Sequence, residues 1–184
     1  MRFVRLTILG MMNTLPSAFV LDWLPRVRAA LGQHPAALDL AMGTGRHIVP
    51  LAAAGFKTFG VDRDWDRLRL AVNAATERRL RLAVWVADLE RFPLPISRFD
   101  LVICTNYLQR DLWDSIQAAV RSGGFVVYET FTVSQLRHRT GPRSPDHLLQ
   151  HGELRDVFRR WHHWTYEERD DTVAAARLVA RKPS

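Results

Sequence analysis

The chain has 184 residues, 47 % of them apolar and 24 % charged, which fits one soluble globular domain and excludes disorder as the main state. A single cysteine, Cys104, excludes a disulfide scaffold, and the absence of any run of about 18 apolar residues excludes a membrane-spanning helix. The net charge of +7 comes almost entirely from arginine, because Lys57 and Lys182 are the only lysines; it permits a nucleic-acid partner without requiring one. At the start, Arg2 and Arg5 before Leu6–Met12 and then Pro16-Ser17-Ala18 imitate a short secretion signal. The apolar run is at the low end of the usual length, so the expectation is a cytoplasmic protein.

Strand-like and helix-like blocks alternate, the pattern of a parallel sheet with crossover helices. Residues 14–31 read as helical with a break near Pro25, the end of an N-terminal helical segment over 1–34. Residues 37–42 form a first strand, entering a tight turn at Gly43-Thr44-Gly45. Arg46–Ala54 reads as a helix with Pro50 in a shortened or bent first turn, and Lys57–Val61 as a second strand ending at Asp62. Asp64 is placed as N-cap of a helix carrying Leu68, Ala71, Val72 and Ala75 on one face. Arg81–Ala87 is a third strand, ending at Asp88, and Phe99–Cys104 a fourth. Asp111 is expected to cap a helix carrying Leu112, Trp113, Ile116 and Val120, stopped by Ser122-Gly123-Gly124. Phe125–Tyr128 is a fifth strand and 129–150 a long substrate-side loop. Leu154, Val157 and Phe158 mark a short helix, and 161–168 with 172–181 form a closing hairpin.

Chemistry concentrates at the strand ends. Glycines in the first strand-to-helix turn let backbone approach a ligand closely, beside N–H groups that favour polar atoms. Asp62, seventeen residues beyond Gly45, is placed to accept hydrogen bonds from both hydroxyls of a ribose. Asp88 ends the third strand, so three acids (Asp39, Asp62, Asp88) share one rim of the sheet. A dinucleotide site wants G-x-G-x-x-G, whereas this series reads Gly43-x-Gly45-x-x-Ile48, and the Asp39 carboxylate would repel a pyrophosphate. A ligand with an ammonium and a sulfonium and no phosphate suits these residues: S-adenosyl-L-methionine.

In Pro16–Val20, Leu38–His47, Gly60–Asp64, Phe99–Leu108, Gly123–Phe131, Gly141-Pro142 through Leu148-Leu149, Gly152–Leu154 and Ala176–Pro183, the chain resembles the class I S-adenosylmethionine-dependent methyltransferases. It is most similar to the small bacterial group related to the tellurite-resistance methyltransferases. That resemblance implies a single domain over 1–184 with a Rossmann-like α/β fold: a seven-stranded, mostly parallel sheet with a C-terminal antiparallel hairpin and helices on both faces. It implies that Asp39 and the Gly43–Gly45 turn hold the methionine part, with Ala41, Arg46 and Arg63 alongside. Asp62 takes the ribose, Asp88 and Leu89 the adenine, and Cys104 to Asn106 the wall beside the sulfonium. Ala41 departs from the usual first glycine, and Gln109 stands where relatives often carry histidine.

The expected reaction is methyl transfer to a small-molecule acceptor by in-line displacement; the alternatives are an RNA methyltransferase or a non-catalytic binding protein. Tyr107, Glu129 and His138 are the candidate proton acceptors, should the nucleophile need one. Arg137-His138-Arg139 with Arg143 forms a basic loop suited to an anionic acceptor. His147-x-x-x-His151 has the spacing of a metal pair but no third ligand, so no metal is expected.

Overall fold

The computed structural model describes residues 15–184; the expected secretion-like start, and the first residue of the expected helix from 14, lie outside the described residues. Seven strands form one sheet: β1 (Ala36–Leu40), β2 (Lys57–Asp62), β3 (Leu82–Val86), β4 (Phe99–Thr105), β5 (Val120–Phe131), β6 (His162–Asp170) and β7 (Ala174–Arg181). Their spatial order is β3-β2-β1-β4-β5-β7-β6. β3, β2, β1, β4 and β5 are parallel to one another, while β7 runs antiparallel between β5 and β6. Strand order reverses between β1 and β4, and α/β sheets open a crevice for ligands at that switch point, at the carboxyl ends of the strands.

The central strands bury both faces. On one face Ala37, Leu101, Ile103, Val127 and Val179 pack with Phe19, Val20, Leu24 and Val27 of α1 (Ala18–Ala29) and with Leu51 of α2 (Ile48–Ala53). Ile48 of α2 also meets Leu68, Ala71 and Ala75 of α3 (Trp65–Glu77), the face that their spacing predicts. On the other face Leu38, Leu40, Val102, Cys104, Val126 and Tyr128 pack with Ile116 of α4 (Trp113–Ala119) and Leu154 of α5 (Glu153–Val157).

Four expectations need correction. Pro25 does not break α1, which runs through it to Ala29. Asp111 caps nothing: it lies inside a 3-10 turn, Arg110–Leu112, that feeds directly into α4. α4 stops at Ala119, and Gly123-Gly124 is not a helix stop but part of a bulge within β5. Phe99 pairs with Val120 while Leu101 pairs with Phe125, so Arg121–Gly124 arch outward on a positive φ at Gly123. The segment 129–150 is not a plain loop. β5 continues to Phe131, two 3-10 turns follow (Val133–Arg137 and Pro145–His147), and Thr132 bridges back to Leu149. The fully buried Gln135 holds this excursion in place, donating from Nε2 to the Thr140 carbonyl and accepting the Ala174 N–H on Oε1, each at 2.7 Å. Other boundaries follow the sequence closely: Asp64 caps α3 by accepting the Arg67 N–H at 3.1 Å, and Pro50 sits in the first turn of α2, where a missing N–H breaks no helical bond.

Candidate active site

A cleft of about 1000 Å³ opens over the carboxyl ends of β1, β2, β3, β4 and β5. Of the residues singled out in the sequence, Ala41, Arg46, Asp62, Arg63, Asp88, Leu89, Asn106, Tyr107 and Glu129 line it; Asp39, Gly43, Gly45, Cys104 and His138 do not.

Asp62 is held on both carboxylate oxygens. It is 8 % exposed; Oδ2 accepts the Gly43 N–H at 2.8 Å and Oδ1 the Asp64 N–H at 3.0 Å. Each carboxylate oxygen can accept a second bond, so both keep a lone pair for a ligand's hydroxyls. At Gly43, with φ +55°, an added Cβ would meet nothing within 4 Å: the turn presents bare backbone beside open space. Gly45 is different. A Cβ there would stand 2.8 Å from Ala71 Cβ and 3.0 Å from Ile48 Cγ1, so this glycine serves the packing of the turn on α3. Ala41 adopts φ +50°, a left-handed conformation that costs an L-residue roughly 1–2 kcal/mol, at the position where the resemblance leads one to expect glycine.

Asp39 is 1 % exposed, because β1 is buried along its whole length and His47 closes over it. His47 Nδ1 stands 3.4 Å from Asp39 Oδ2 without the alignment of a hydrogen bond, which leaves that oxygen without a hydrogen-bond donor among the described residues. Of these two strand-end acids, Asp62 lines the cleft and Asp39 does not. Cys104 is likewise behind the wall: it is fully buried, burial pushes its thiol up to about 12, and Sγ points at the Tyr107 carbonyl 3.7 Å away. His138 binds Asp170 at 2.5 Å, beside Arg137, which pairs with the same carboxylate. Arg143 donates to the Leu136 and His138 carbonyls. Two arginines of the expected anion grip are thus occupied in holding their own segment to itself and to β6.

Two groups in the wall lie in stretches that carry the resemblance but take no role from it. Ser17, the N-cap of α1, donates its hydroxyl to Glu129 Oε2 and its backbone N–H to His47 Nε2 at 3.2 Å. Arg177 on β7 donates from Nε to Glu129 Oε1 at 2.7 Å and from Nη1 to Glu167 at 3.4 Å. Burial works against the charge of Arg177, but Glu129 and Glu167 hold its proton more tightly than usual. No local sequence signal links Ser17, Glu129 and Arg177: Glu129 and Arg177 meet through the β5–β7 pairing, and Ser17 reaches Glu129 from the start of α1. Arg46 bonds Thr105 Oγ1 at 2.8 Å, and burial lowers its pKa against the pull of Asp39 and Glu129.

Tyr107 donates to Gln109 Oε1, and partial burial pushes its phenol up to about 12. It is therefore protonated near neutral pH. His147 lines the cleft, whereas His151 turns away to bind Glu168 at 2.5 Å and Ser134 at 3.2 Å, so the two do not form a metal pair. Among the described residues no group of three or more His, Cys, Asp or Glu side chains is arranged to hold a metal ion. No helix among them is long and apolar enough to cross a membrane.

The site fits an adenosyl donor at the end of β2, where a fixed carboxylate with free lone pairs lines the cleft beside the bare backbone of the Gly43 turn. Comparison with known proteins bears on the same point. Residues 37–124 match a family described as a methyltransferase domain. No curated protein matches the chain significantly. Among solved structures, TehB from Haemophilus influenzae superposes with a TM-score of 0.75 at 16 % identity; the alignment covers 94 % of this chain but only 64 % of that one. An S-adenosylmethionine-dependent methyltransferase from Clostridium acetobutylicum gives 0.74 at 12 % identity, covering 95 % of both chains. A third, from Mesorhizobium loti, gives 0.67 at 20 % identity, covering 88 % of this chain and all of the other. Residues 37–124 thus match a methyltransferase-domain family over somewhat less than half of the chain, and the whole protein has the fold of the S-adenosylmethionine-dependent methyltransferases.

Proposed function

We propose that this protein transfers a methyl group from S-adenosylmethionine to a small-molecule acceptor that is already nucleophilic at the working pH. The observation that carries the reading is the Asp62 carboxylate, fixed by two backbone N–H groups at the edge of a cleft of about 1000 Å³. Ligand pockets typically span about 300–1,000 Å³, so this cleft has room for a donor and a compact acceptor together.

In this reading Asp62 binds the ribose hydroxyls, Asp88 and Leu89 meet the adenine, and the Gly43 backbone lies against the methionine part. Arg46 and Asn106 border the sulfonium, with Ala41 and Arg63 beside them. Asp39, Gly45 and Cys104 support the turn and the strand ends from behind. The donor supplies a sulfonium whose methyl carbon accepts an electron pair as the carbon–sulfur bond breaks. The residues of the chain then need chiefly to align the acceptor with that bond, which contributes roughly 7–11 kcal/mol in well-oriented systems.

The choice of acceptor follows from what the wall lacks. The Tyr107 phenol holds its proton up to about 12, His138 is paired with Asp170 off the wall, and Glu129 is engaged by Ser17 and Arg177. None of these three candidate bases stands ready, which favours a soft nucleophile such as a thiolate. Because Arg137 and Arg143 are bonded within the molecule, an extended polyanion such as RNA has less support than the overall charge suggests. Calorimetric titration with S-adenosylhomocysteine against NAD tests the donor. Binding of the former alone is expected, and preference for NAD would overturn the reading.

A further inference from the structure

We infer that Gln109 is a positioning residue for the nucleobase of the donor, acting as a clip between the two segments that form that end of the cleft. The inference rests on the function proposed above. Its ground is a chain of two hydrogen bonds joining three residues of the cleft wall: Tyr107 Oη donates to Gln109 Oε1, and Gln109 Nε2 donates to the Leu89 carbonyl at 3.2 Å.

The direction of both bonds is fixed. A carbonyl oxygen only accepts, so the amide nitrogen of Gln109 must face Leu89 and its oxygen must face Tyr107, whose hydroxyl then has to be the donor. The clip matters because of where Leu89 sits. β3 is an edge strand, paired only with β2. Beyond it, residues 88–92 fold on themselves: the Asp88 carbonyl accepts the Arg91 and Phe92 N–H groups, and Asp88 Oδ1 accepts the Glu90 N–H. Among the described residues, the Gln109 side chain makes the one hydrogen bond that ties 88–90 to the segment following β4. Leu89 is itself buried, so without the clip its carbonyl would lack this donor in a half-enclosed site. Gln109 thus fixes the distance between Asp88-Leu89 on one side and Asn106-Tyr107 on the other, and with it the width of the slot that a purine ring enters.

The test is Gln109→Glu, which keeps shape and length but, when ionised, offers Leu89 an acceptor in place of a donor. Binding of adenosine and of S-adenosylhomocysteine is measured by calorimetry for both proteins, together with thermal unfolding. The expected result is a loss of about tenfold in affinity for both ligands, equal in fold because both carry the purine. The loss should also shrink relative to wild type as the pH is lowered toward 5. There the new carboxyl takes up a proton and can again donate to Leu89, a recovery that general destabilisation would not produce. Unchanged affinity, or a loss with no pH recovery, overturns the clip. A wild-type protein that binds neither ligand overturns the donor assignment itself, a separate and recognisable failure.

Discussion

The N–H of Gly43 donates to Oδ2 of Asp62 at 2.8 Å, joining the turn after β1 to the end of β2. The bond holds the bare turn and the carboxylate that lines the cleft in one rigid unit. It also explains why an acid is wanted at the end of β2 beyond any contact with a ligand. The Gly43 and Asp64 N–H groups both aim at this position and need an acceptor in a site that is mostly withdrawn from water.

Asp62→Ala should therefore weaken binding of S-adenosylhomocysteine by about 1–3 kcal/mol, because the ribose hydroxyls lose a charged partner and the turn loses its anchor. Asp62→Asn should fall between the two proteins, since an amide presents one acceptor oxygen where the carboxylate presents two. Calorimetry measures both. Equal affinity in all three proteins would show that the ribose lies elsewhere.

Two glycines of one turn should respond to alanine in opposite ways. Gly43→Ala places a methyl in open space, so its effect on folding is limited to the left-handed backbone at φ +55°, roughly 1–2 kcal/mol, while affinity for the donor falls. Gly45→Ala drives a methyl against Ala71 Cβ at 2.8 Å and Met42 Cε at 3.0 Å at φ +79°. It should add roughly 1–3 kcal/mol of overpacking strain to the backbone term. Urea unfolding and ligand titration of both variants separate the two roles; a larger stability loss for Gly43→Ala than for Gly45→Ala would reverse the assignment.

The strand ends were legible because a buried parallel strand is a short apolar run and its last residue is often the first polar one: Asp62 ends β2 and Asp88 follows β3 by two residues. Depth was not legible. Asp39 reads as a site acid by its place before a glycine turn, yet it sits behind His47, and that follows from the pairing of β1 between β2 and β4 rather than from any local pattern. Cys104 is hidden for the same reason. The bulge at Arg121–Gly124 was misread because Ser-Gly-Gly after an amphipathic stretch is equally a helix stop; the partner strand decides, through the Arg121 pair with Asp100 at 3.0 Å. The Ser17–Glu129–Arg177 cluster joins residues 112 and 48 positions apart and carries no spacing signal.

The buried thiol of Cys104 should make the fold less stable as the solution becomes alkaline. Its ordinary value of 9.0 is pushed up to about 12 by burial, so the folded chain keeps a proton that the unfolded chain releases above pH 9. Unfolding then releases a proton, and stability falls by about 1.4 kcal/mol per pH unit through that window. Unfolding by urea between pH 8.5 and 10 should show stability falling ever more steeply toward this slope in the wild type and a shallower fall in Cys104→Ala, whatever the alanine itself costs. The same burial should keep the native thiol unreactive toward a disulfide reagent at pH 8. Rapid native labelling, or identical slopes in the two proteins, would place Cys104 in a more accessible site.

Glu129 and Arg177 form an ion pair at 2.7 Å, with Glu129 8 % exposed and Glu167 on the far side of the guanidinium. Removing one member of such a pair strands the other away from water, so Arg177→Met should destabilise the protein by about 3–5 kcal/mol. Glu129→Gln should do less harm, because the amide oxygen still accepts from Arg177 and Glu167 still balances its charge. The double variant Glu129→Gln/Arg177→Met should be more stable than Arg177→Met alone, since no buried carboxylate is left without its cation. A cycle of urea unfolding free energies measures the coupling. Ser17→Ala, read in the same assay, removes only a neutral donor from Glu129 and should cost about 0.5–1.5 kcal/mol, plus what the α1 N-cap loses. Additive effects of Glu129→Gln and Arg177→Met would mean that the two side chains are not paired in solution.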